Sequence, residues 1–353
     1  MAEKSLNTSS DPMILVTGGT GFVGSYLLRY LIQKGYSNIR AIYRPGCSMA
    51  AVADLPKDRI EWLPCDILDL VGLEMALEGV EKIYHAAAMV SFSARDRSEM
   101  LQTNVEGTSN VVNMALATGV RKMLQLSSVA ALGRSKPGEL INEDKTWERS
   151  PYNTNYGLSK FLSEQEAWRG YAEGLEVVVL NPSIILGAFD WDNGAARFFK
   201  MIHQGLRFYP QGGTGLVDVR DVVCLMEELM ERPINGERFI ANAETWTYQK
   251  LFTEIASLLD RPKPNIAFKP LLQTFAWRAA ALQARLSGKP ALITKETVKQ
   301  SAHTFYYEHE KSRKELDFNY RPIMETLQET AAKFLQPQDH SDVIQFPFLP
   351  NLT

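Results

Sequence analysis

Apolar residues fall along this chain in two rhythms. Short apolar runs at Met13 to Val16, Ile39 to Tyr43, Ile60 to Leu63, Lys82 to His85, Met123 to Leu126 and Val177 to Leu180 read as buried strands. Between most of them lie stretches of helical period. Phe22, Val23, Tyr26, Leu27, Tyr30 and Leu31 share one helical face, and Glu99 to Ala117 and Tyr152 to Ala172 show helical patterns of their own. Strand and helix in alternation predict an α/β fold, a doubly wound parallel sheet with right-handed crossovers. Ligands of such sheets bind beyond the carboxyl ends of the strands. The residues that follow each strand therefore carry the functional information.

The first strand runs into a bend in which Gly18, Gly21 and Gly24 recur at every third residue, with Thr20 between them, before the helix opens at Phe22 and Val23. Glycines so spaced suit a turn of unusual dihedrals, close backbone approach to a ligand and close helix packing. The helix N-terminus points its free N–H groups and its dipole into the bend, which favours an anion, and a dinucleotide pyrophosphate is the natural guest. Strand, bend and helix together predict a Rossmann-type unit. After the second strand stands Arg44, and the nearest acidic residue beyond it is Asp54. A carboxylate at this strand end grips a ribose 2′-hydroxyl, whereas an arginine accommodates a 2′-phosphate. NADP(H) is therefore expected over NAD(H), the alternative being that Arg44 is a solvated loop residue. After the third strand, Asp66 and Ile67 are placed to meet an adenine edge, or Asp66 to cap a helix. The small residues Ala86, Ala87 and Ala88 after the fourth strand would let a cofactor lie against the backbone, or serve ordinary helix packing.

Length, charge and cysteine usage narrow the picture. At 353 residues the chain is long enough for two lobes, at about 150 residues per domain. A formal charge of −3 offers no basic field for nucleic acid. Cys47, Cys65 and Cys224 lie far apart and the five histidines lack ligand spacing, so no metal site or disulfide framework is expected. This fits a reducing cytoplasm. Residues 1–12 are polar, without the apolar core of a signal peptide, and read as a disordered lead. Leu271 to Leu286 is strongly apolar but carries Arg278 and Arg285 and falls short of the about 20 residues a membrane span needs. Burial or a lid over an oily substrate is expected there, and the proline-containing residues 336–353 read as an appended tail.

The fifth strand ends at Ser127 and Ser128, and a later helix carries Tyr156 and Lys160, four apart on one face. An ammonium beside a phenol favours the phenolate and lowers a pKa that is ordinarily about 10. Such a tyrosine is a usable acid–base group near neutrality. A serine hydroxyl at a strand end can hydrogen-bond a substrate oxygen.

These motifs, TGGTGFVG, CDILD, HAAA, NVEGT, LSSVAALG, YGLSK, NPSIILG and VDVRDV, make the chain from about Met13 to Tyr320 resemble the extended short-chain dehydrogenases/reductases. The resemblance implies that Gly18, Gly21, Phe22 and Val23 hold the pyrophosphate, Asp66 and Ile67 the adenine, and that Ala86 to Ala88 line the cofactor. It makes Tyr156 the proton donor or acceptor, Lys160 its partner and the nicotinamide-ribose ligand, and Ser128 the hydroxyl that positions the reacting oxygen. Ser128 is preferred to Ser127 because it stands five before Gly133. Asn104 is similar to the asparagine that supports a proton relay, its other reading being a polar residue in a helix kink. Pro182, Ser183 and Ile184 match the loop that presses the nicotinamide into place. Residues 13–180 and 216–242 are then the NADP-binding Rossmann domain, and 181–215 with 243–335 a smaller substrate-binding lobe.

Within that family, dehydratases usually show Thr-Asp-Glu after the serines, where this chain has Val129, Ala130 and Ala131. Sugar epimerases usually carry a diphosphate-gripping arginine where this chain runs from Gln211 to Asp218 without one. The substrate side offers apolar residues instead, among them Met89, Phe92, Phe189 and Trp191, many of which will be core. The pattern is similar to the branch of dihydroflavonol 4-reductases and 3β-hydroxysteroid dehydrogenases. It implies an NADP(H)-dependent oxidoreductase interconverting a carbonyl and a secondary alcohol on a moderately apolar small molecule. The alternatives are a nucleotide-sugar epimerase of the same superfamily and a non-catalytic dinucleotide sensor. Family likeness also implies a homodimer through the helices at Glu99 to Ala117 and Tyr152 to Ala172.

Overall fold

A computed structural model describes residues 12–268 and 294–336. The expected lead up to Asp11, the Leu271 to Leu286 stretch and the tail beyond Gln336 lie outside the described residues. The strands β1 (Met13–Thr17), β2 (Ile39–Tyr43), β3 (Ile60–Pro64), β4 (Val80–His85), β5 (Lys122–Leu126), β7 (Glu176–Pro182) and β11 (Glu237–Ala241) form one seven-stranded sheet. Between them come β6 (Leu140–Ile141), β8 (Ile184–Leu186), β9 (Phe208–Tyr209) and β10 (Gly213–Asp218). The sheet order is β11-β7-β5-β4-β1-β2-β3, with every neighbouring pair parallel. The chain steps outward from β1 to β3 and then returns to β4 on the other side of β1. The carboxyl ends of β1 and β4 thus flank the switch point where such sheets bind ligands.

Alternate residues of one strand feed different cores. Ile14 and Val16 pack with Leu27, Leu28 and Val222 on one face, while Leu15 packs with Ile83, Val111 and Ala115 on the other. A strand buried on both faces must be apolar throughout, which is why these runs show no polar alternation. The helices α1 (Phe22–Gln33), α2 (Leu70–Leu77), α3 (Arg97–Leu101), α4 (Gly107–Thr118), α5 (Asn155–Ala172), α6 (Arg197–His203) and α7 (Val219–Glu231) follow in chain order. β11 escaped the sequence reading because only its last three residues, Phe239, Ile240 and Ala241, are buried apolar. The helix expected over Glu99 to Ala117 is interrupted by a π-helical turn, Gln102–Glu106, that separates α3 from α4. The helix expected from Tyr152 starts at Asn155, where Thr154 caps it by accepting from the Gly157 N–H at 2.9 Å.

A second layer is built on a small sheet. β10 pairs in parallel with β8 and antiparallel with β12 (Glu244–Thr247). Against it lies a separate apolar core of Leu186, Phe199, Ile202, Leu216, Trp246, Ile255 and Leu327. Its helices are α6, α8 (Tyr248–Leu258) and, after α9 (Lys295–Ser301) and α10 (Glu310–Leu316), α11 (Ile323–Leu335). The seam between the two parts is polar. Asp218 caps α7 through the Arg220 N–H at 2.7 Å, takes the Arg220 guanidinium on both oxygens, and accepts from Thr326 of α11 at 2.8 Å. At the other end of α7 the buried Lys122 ammonium donates to the carbonyls of Leu229 and Arg232, a cation placed where the helix dipole is negative.

Candidate active site

The glycine bend is closed by backbone. Gly18 has φ +70°, and a Cβ there would lie 2.8 Å from the backbone of Ala87. A Cβ on Gly24 would stand 2.1 Å from the Gly18 carbonyl oxygen, so helix and bend touch only because neither carries a side chain. Gly21 donates to the Gly18 carbonyl and precedes α1 with no side-chain cap, leaving the first-turn N–H groups at Phe22 and Val23 to face the bend. Thr20 Oγ1 lies 3.5 Å from Cys47 Sγ in the loop after β2.

Beneath the bend a buried hydrogen-bond chain holds the Ala86 to Ala88 segment. The Ala87 N–H donates to Thr17 Oγ1, Thr17 stands 2.7 Å from His85 Nδ1, and His85 Nε2 stands 3.0 Å from Thr108 Oγ1. Thr108 must donate to the Asn104 carbonyl at 2.7 Å, because that oxygen can only accept. The hydroxyl proton of Thr108 is thereby spent, so His85 carries its proton on Nε2 and accepts from Thr17 on Nδ1. Burial, with Lys160 adding to it, pushes the His85 pKa down to about 3, which keeps this ring neutral.

Where the sequence reading expects the adenosine, Arg44 is exposed beyond β2. Asp54, the nearest carboxylate in sequence, is ion-paired with Arg29, and Glu61 with Arg40. Asp66 accepts from the Leu68 N–H at 3.0 Å and so forms its own turn. Ile67 is buried, and its Cδ1 would stand 2.5 Å from a Cβ on Gly107.

The groups expected to react lie where β5 ends. Tyr156, half-buried on the first turn of α5, is beside Ser128, whose hydroxyl accepts from the Ala130 N–H at 3.2 Å. Ser127 instead donates to the buried Glu164 at 2.8 Å. Lys160 is buried one turn along and donates to the Leu126 carbonyl at 2.7 Å. Desolvation brings its pKa down to about 8, opposed by Glu164. The sequence reading expects the ammonium to depress the phenol. In the structure burial raises the Tyr156 pKa above its ordinary value, with Ser128 opposing it. The physical reason is that dry surroundings disfavour the phenolate while the Lys160 ammonium is committed to a backbone carbonyl.

Asn104 lies in the π-helical turn, which brings its side chain to the backbone of Met89. It accepts from the Met89 N–H at 2.7 Å, donates to the Met89 carbonyl at 2.9 Å, and donates to Ser159, which in turn bonds the Tyr156 carbonyl. Phe92 stands edge-on to Tyr156, with ring centroids 5.7 Å apart. Of the four apolar pocket candidates, Phe92 is thus brought to the tyrosine, and the Met89 backbone is held by Asn104. Phe189 packs instead on Phe22 at the bend, 5.2 Å between centroids, and Trp191 on Phe199 and Phe334 in the second core. Pro182, Ser183 and Ile184 carry the chain from β7 into β8, with the Ser183 N–H on the Ala241 carbonyl at 2.9 Å. Glu164 was missed by sequence reading. Its only signal was an acidic residue four beyond Lys160, on the helical face that already carries Tyr156.

The residues present fit a nicotinamide dinucleotide. The glycine cradle would be filled by any Cβ, the α1 N-terminus lacks a side-chain cap, and Ser183 Oγ is buried without a hydrogen-bond partner among the described residues.

Comparison with known proteins agrees with that fit. Residues 14–241 match the family described as the NAD dependent epimerase/dehydratase family. The chain is 31% identical over 337 residues to a putative dihydroflavonol 4-reductase of Synechocystis, covering 93% of this chain and 95% of the relative. It is 32% identical to sterol demethylase protein B of Methylococcus capsulatus, covering 77% of this chain and 82% of the relative. Among solved structures, a UDP-glucose 4-epimerase of Thermotoga maritima, crystallised with UDP-glucose, superimposes with a TM-score of 0.74. The identity is 21%, over 91% of this chain and 98% of that one, and it shows the shared fold.

Proposed function

This chain belongs to the NAD-dependent epimerase/dehydratase family and is an oxidoreductase of its extended short-chain type, and on that premise we propose that it interconverts a carbonyl and a secondary alcohol on a moderately apolar small molecule, using NADP(H). The observation that carries the reading is the convergence of Ser128, Tyr156 and the buried Lys160 at the end of β5, with the Lys160 ammonium on the Leu126 carbonyl at 2.7 Å.

Gly18, Gly21, Gly24 and the first turn of α1 would hold the pyrophosphate, Arg44 the 2′-phosphate, and Ser183 a polar group of the nicotinamide end. Reduced nicotinamide, when bound, supplies the hydride. Tyr156 is protonated at neutral pH because burial raises its pKa, and so stands ready to give its proton to the carbonyl oxygen. Ser128 donates to the same oxygen as negative charge grows on it. The phenolate left behind is steadied by the charged Lys160. The Phe92 ring stands as an apolar wall beside the tyrosine, which suits a substrate with few charges.

Support for a reductase over a nucleotide-sugar epimerase comes from two sides. The relatives are named for dihydroflavonol reduction and sterol demethylation. The Gln211 to Asp218 segment has no arginine, and nearby Arg220 is engaged by Asp218 and Glu329. A purely sensing role has no use for a tyrosine one helical turn from a buried lysine that is held at a strand end.

The test is a nucleotide-depletion screen over flavonoid-like, steroid-like, terpenoid and simple ketone compounds, run with NADPH and NADH in parallel. Tyr156→Phe is expected to lower turnover by about 100-fold or more, with NADPH affinity held within about two-fold. Retained turnover in that variant would overturn the assignment of Tyr156. A rise in melting temperature with UDP or dTDP, and none with carbonyl compounds, would favour the epimerase.

A further inference from the structure

One turn beyond Lys160, α5 buries a carboxylate. Glu164 is 2% exposed. Its Oε2 accepts from Ser127 Oγ at 2.8 Å and from Asn181 Nδ2 at 2.9 Å, and its Oε1 faces Trp168 Nε1 and the Arg238 guanidinium, each at 3.3 Å. The same Asn181 amide donates to the Ser128 carbonyl at 3.0 Å. One side chain of α5 therefore clasps the ends of β5 and β7 and reaches β11. A neutral amide at this position would keep part of that clasp and spare the cost of drying an ion. What only a carboxylate adds is negative charge, which Arg238 meets directly and which also acts on the buried ammonium of Lys160 one turn earlier on α5. The titratable and charged groups that act on that ammonium are Glu164 on α5, His85 on β4 and, beyond Glu164, Arg238 on β11, with Tyr156 one helical turn before Lys160 on α5.

We propose that Glu164 is a positioning residue of the proton-transfer site: its carboxylate keeps Lys160 charged in the dry interior and sets the Ser128 backbone through Asn181, while Arg238 limits how much of that charge Lys160 receives. This rests on the reading of Tyr156, Lys160 and Ser128 given above. Arg238 is a tolerant place to probe it, since the side chain is partly exposed and lines surface hollows of about 550 and 410 Å³ beside Gln165.

The experiment measures NADPH affinity by nucleotide fluorescence from about pH 6 to about pH 10 for the full chain and for Lys160→Met, Glu164→Gln, Glu164→Asp and Arg238→Gln. The wild type should weaken above a midpoint that Lys160→Met abolishes. Glu164→Gln should move that midpoint down by about one pH unit or more, Glu164→Asp should restore most of it, and Arg238→Gln should move it up. Opposite shifts cannot come from loosened packing, which weakens binding alike at every pH. A Lys160-dependent midpoint that stays in place in Glu164→Gln overturns this proposal alone. A midpoint that survives Lys160→Met overturns the assignment of Lys160 and this proposal with it. Should Glu164→Gln fail to fold, absence of the upward shift in Arg238→Gln overturns the proposal by itself.

Discussion

The two ends of the site are built from different materials. At the nucleotide end the chain offers backbone and shape: a left-handed Gly18, a helix packed on a bend at Gly24, and an exposed arginine with no carboxylate partner among the described residues. At the proton-transfer end it offers side chains that are nearly all buried, with His85, Asn104, Ser127, Lys160 and Glu164 each at most 4% exposed. A phosphate is gripped well by N–H groups that are present in any sequence, provided that nothing stands in the way. A proton is moved only by groups whose ionisation has been altered, and that takes desolvation and chosen neighbours.

The sharpest way to break this contrast is to add one side chain where none is tolerated. Gly24→Val places carbon inside the contact made with the Gly18 carbonyl. We expect a loss of about 3 kcal/mol in stability by denaturant unfolding, and NADPH affinity reduced by more than about 100-fold. A variant that binds NADPH normally would show that the bend does not meet the cofactor.

Next in size is the pH response of the buried lysine. Lys160 drops from its ordinary 10.5 to about 8 on folding. Between those values the unfolded chain holds more protons than the folded one, so stability contributed at this position rises with pH across the window, and the full penalty applies below it. Relative to Lys160→Met, the wild type should therefore gain about 1–3 kcal/mol between about pH 7 and about pH 10.5, measured by unfolding at each pH. Cofactor affinity should move the other way, weakening as the ammonium is lost. A penalty on stability that coincides with competence to bind is what separates this end from the glycine bend.

The smallest effect is expected at the exposed arginine. Arg44→Ala should weaken NADPH binding by about ten-fold and leave NADH binding within about two-fold, with the difference shrinking at high salt. Equal losses for both nucleotides would remove the case for a 2′-phosphate preference.

Much of this was legible in the chain because it depends on neighbours in sequence. All six strands match the apolar runs to within two residues at each end. The spacing of Tyr156 and Lys160 placed both on one helix, although not the direction in which the phenol titrates. The helical pattern over Glu99 to Ala117 was legible, with a kink at Asn104 as one of its two readings, but the π-helical turn that makes the break was not. Trp191 and Phe189 were offered as pocket residues on type alone, and an aromatic side chain does not announce which of two cores it enters.

What the sequence determined by itself was the winding of the sheet and the bend at its first strand. Periodicity and missing side chains act over a few residues, so they can be read without knowing the fold. Only the tertiary structure decided which polar groups lose water together. Glu164, Ser127, Asn181 and Arg238 come from four separate elements and meet at the end of β5. An ionised group in a dry interior is governed by whichever partners the fold brings to it, and distance along the chain says nothing about them.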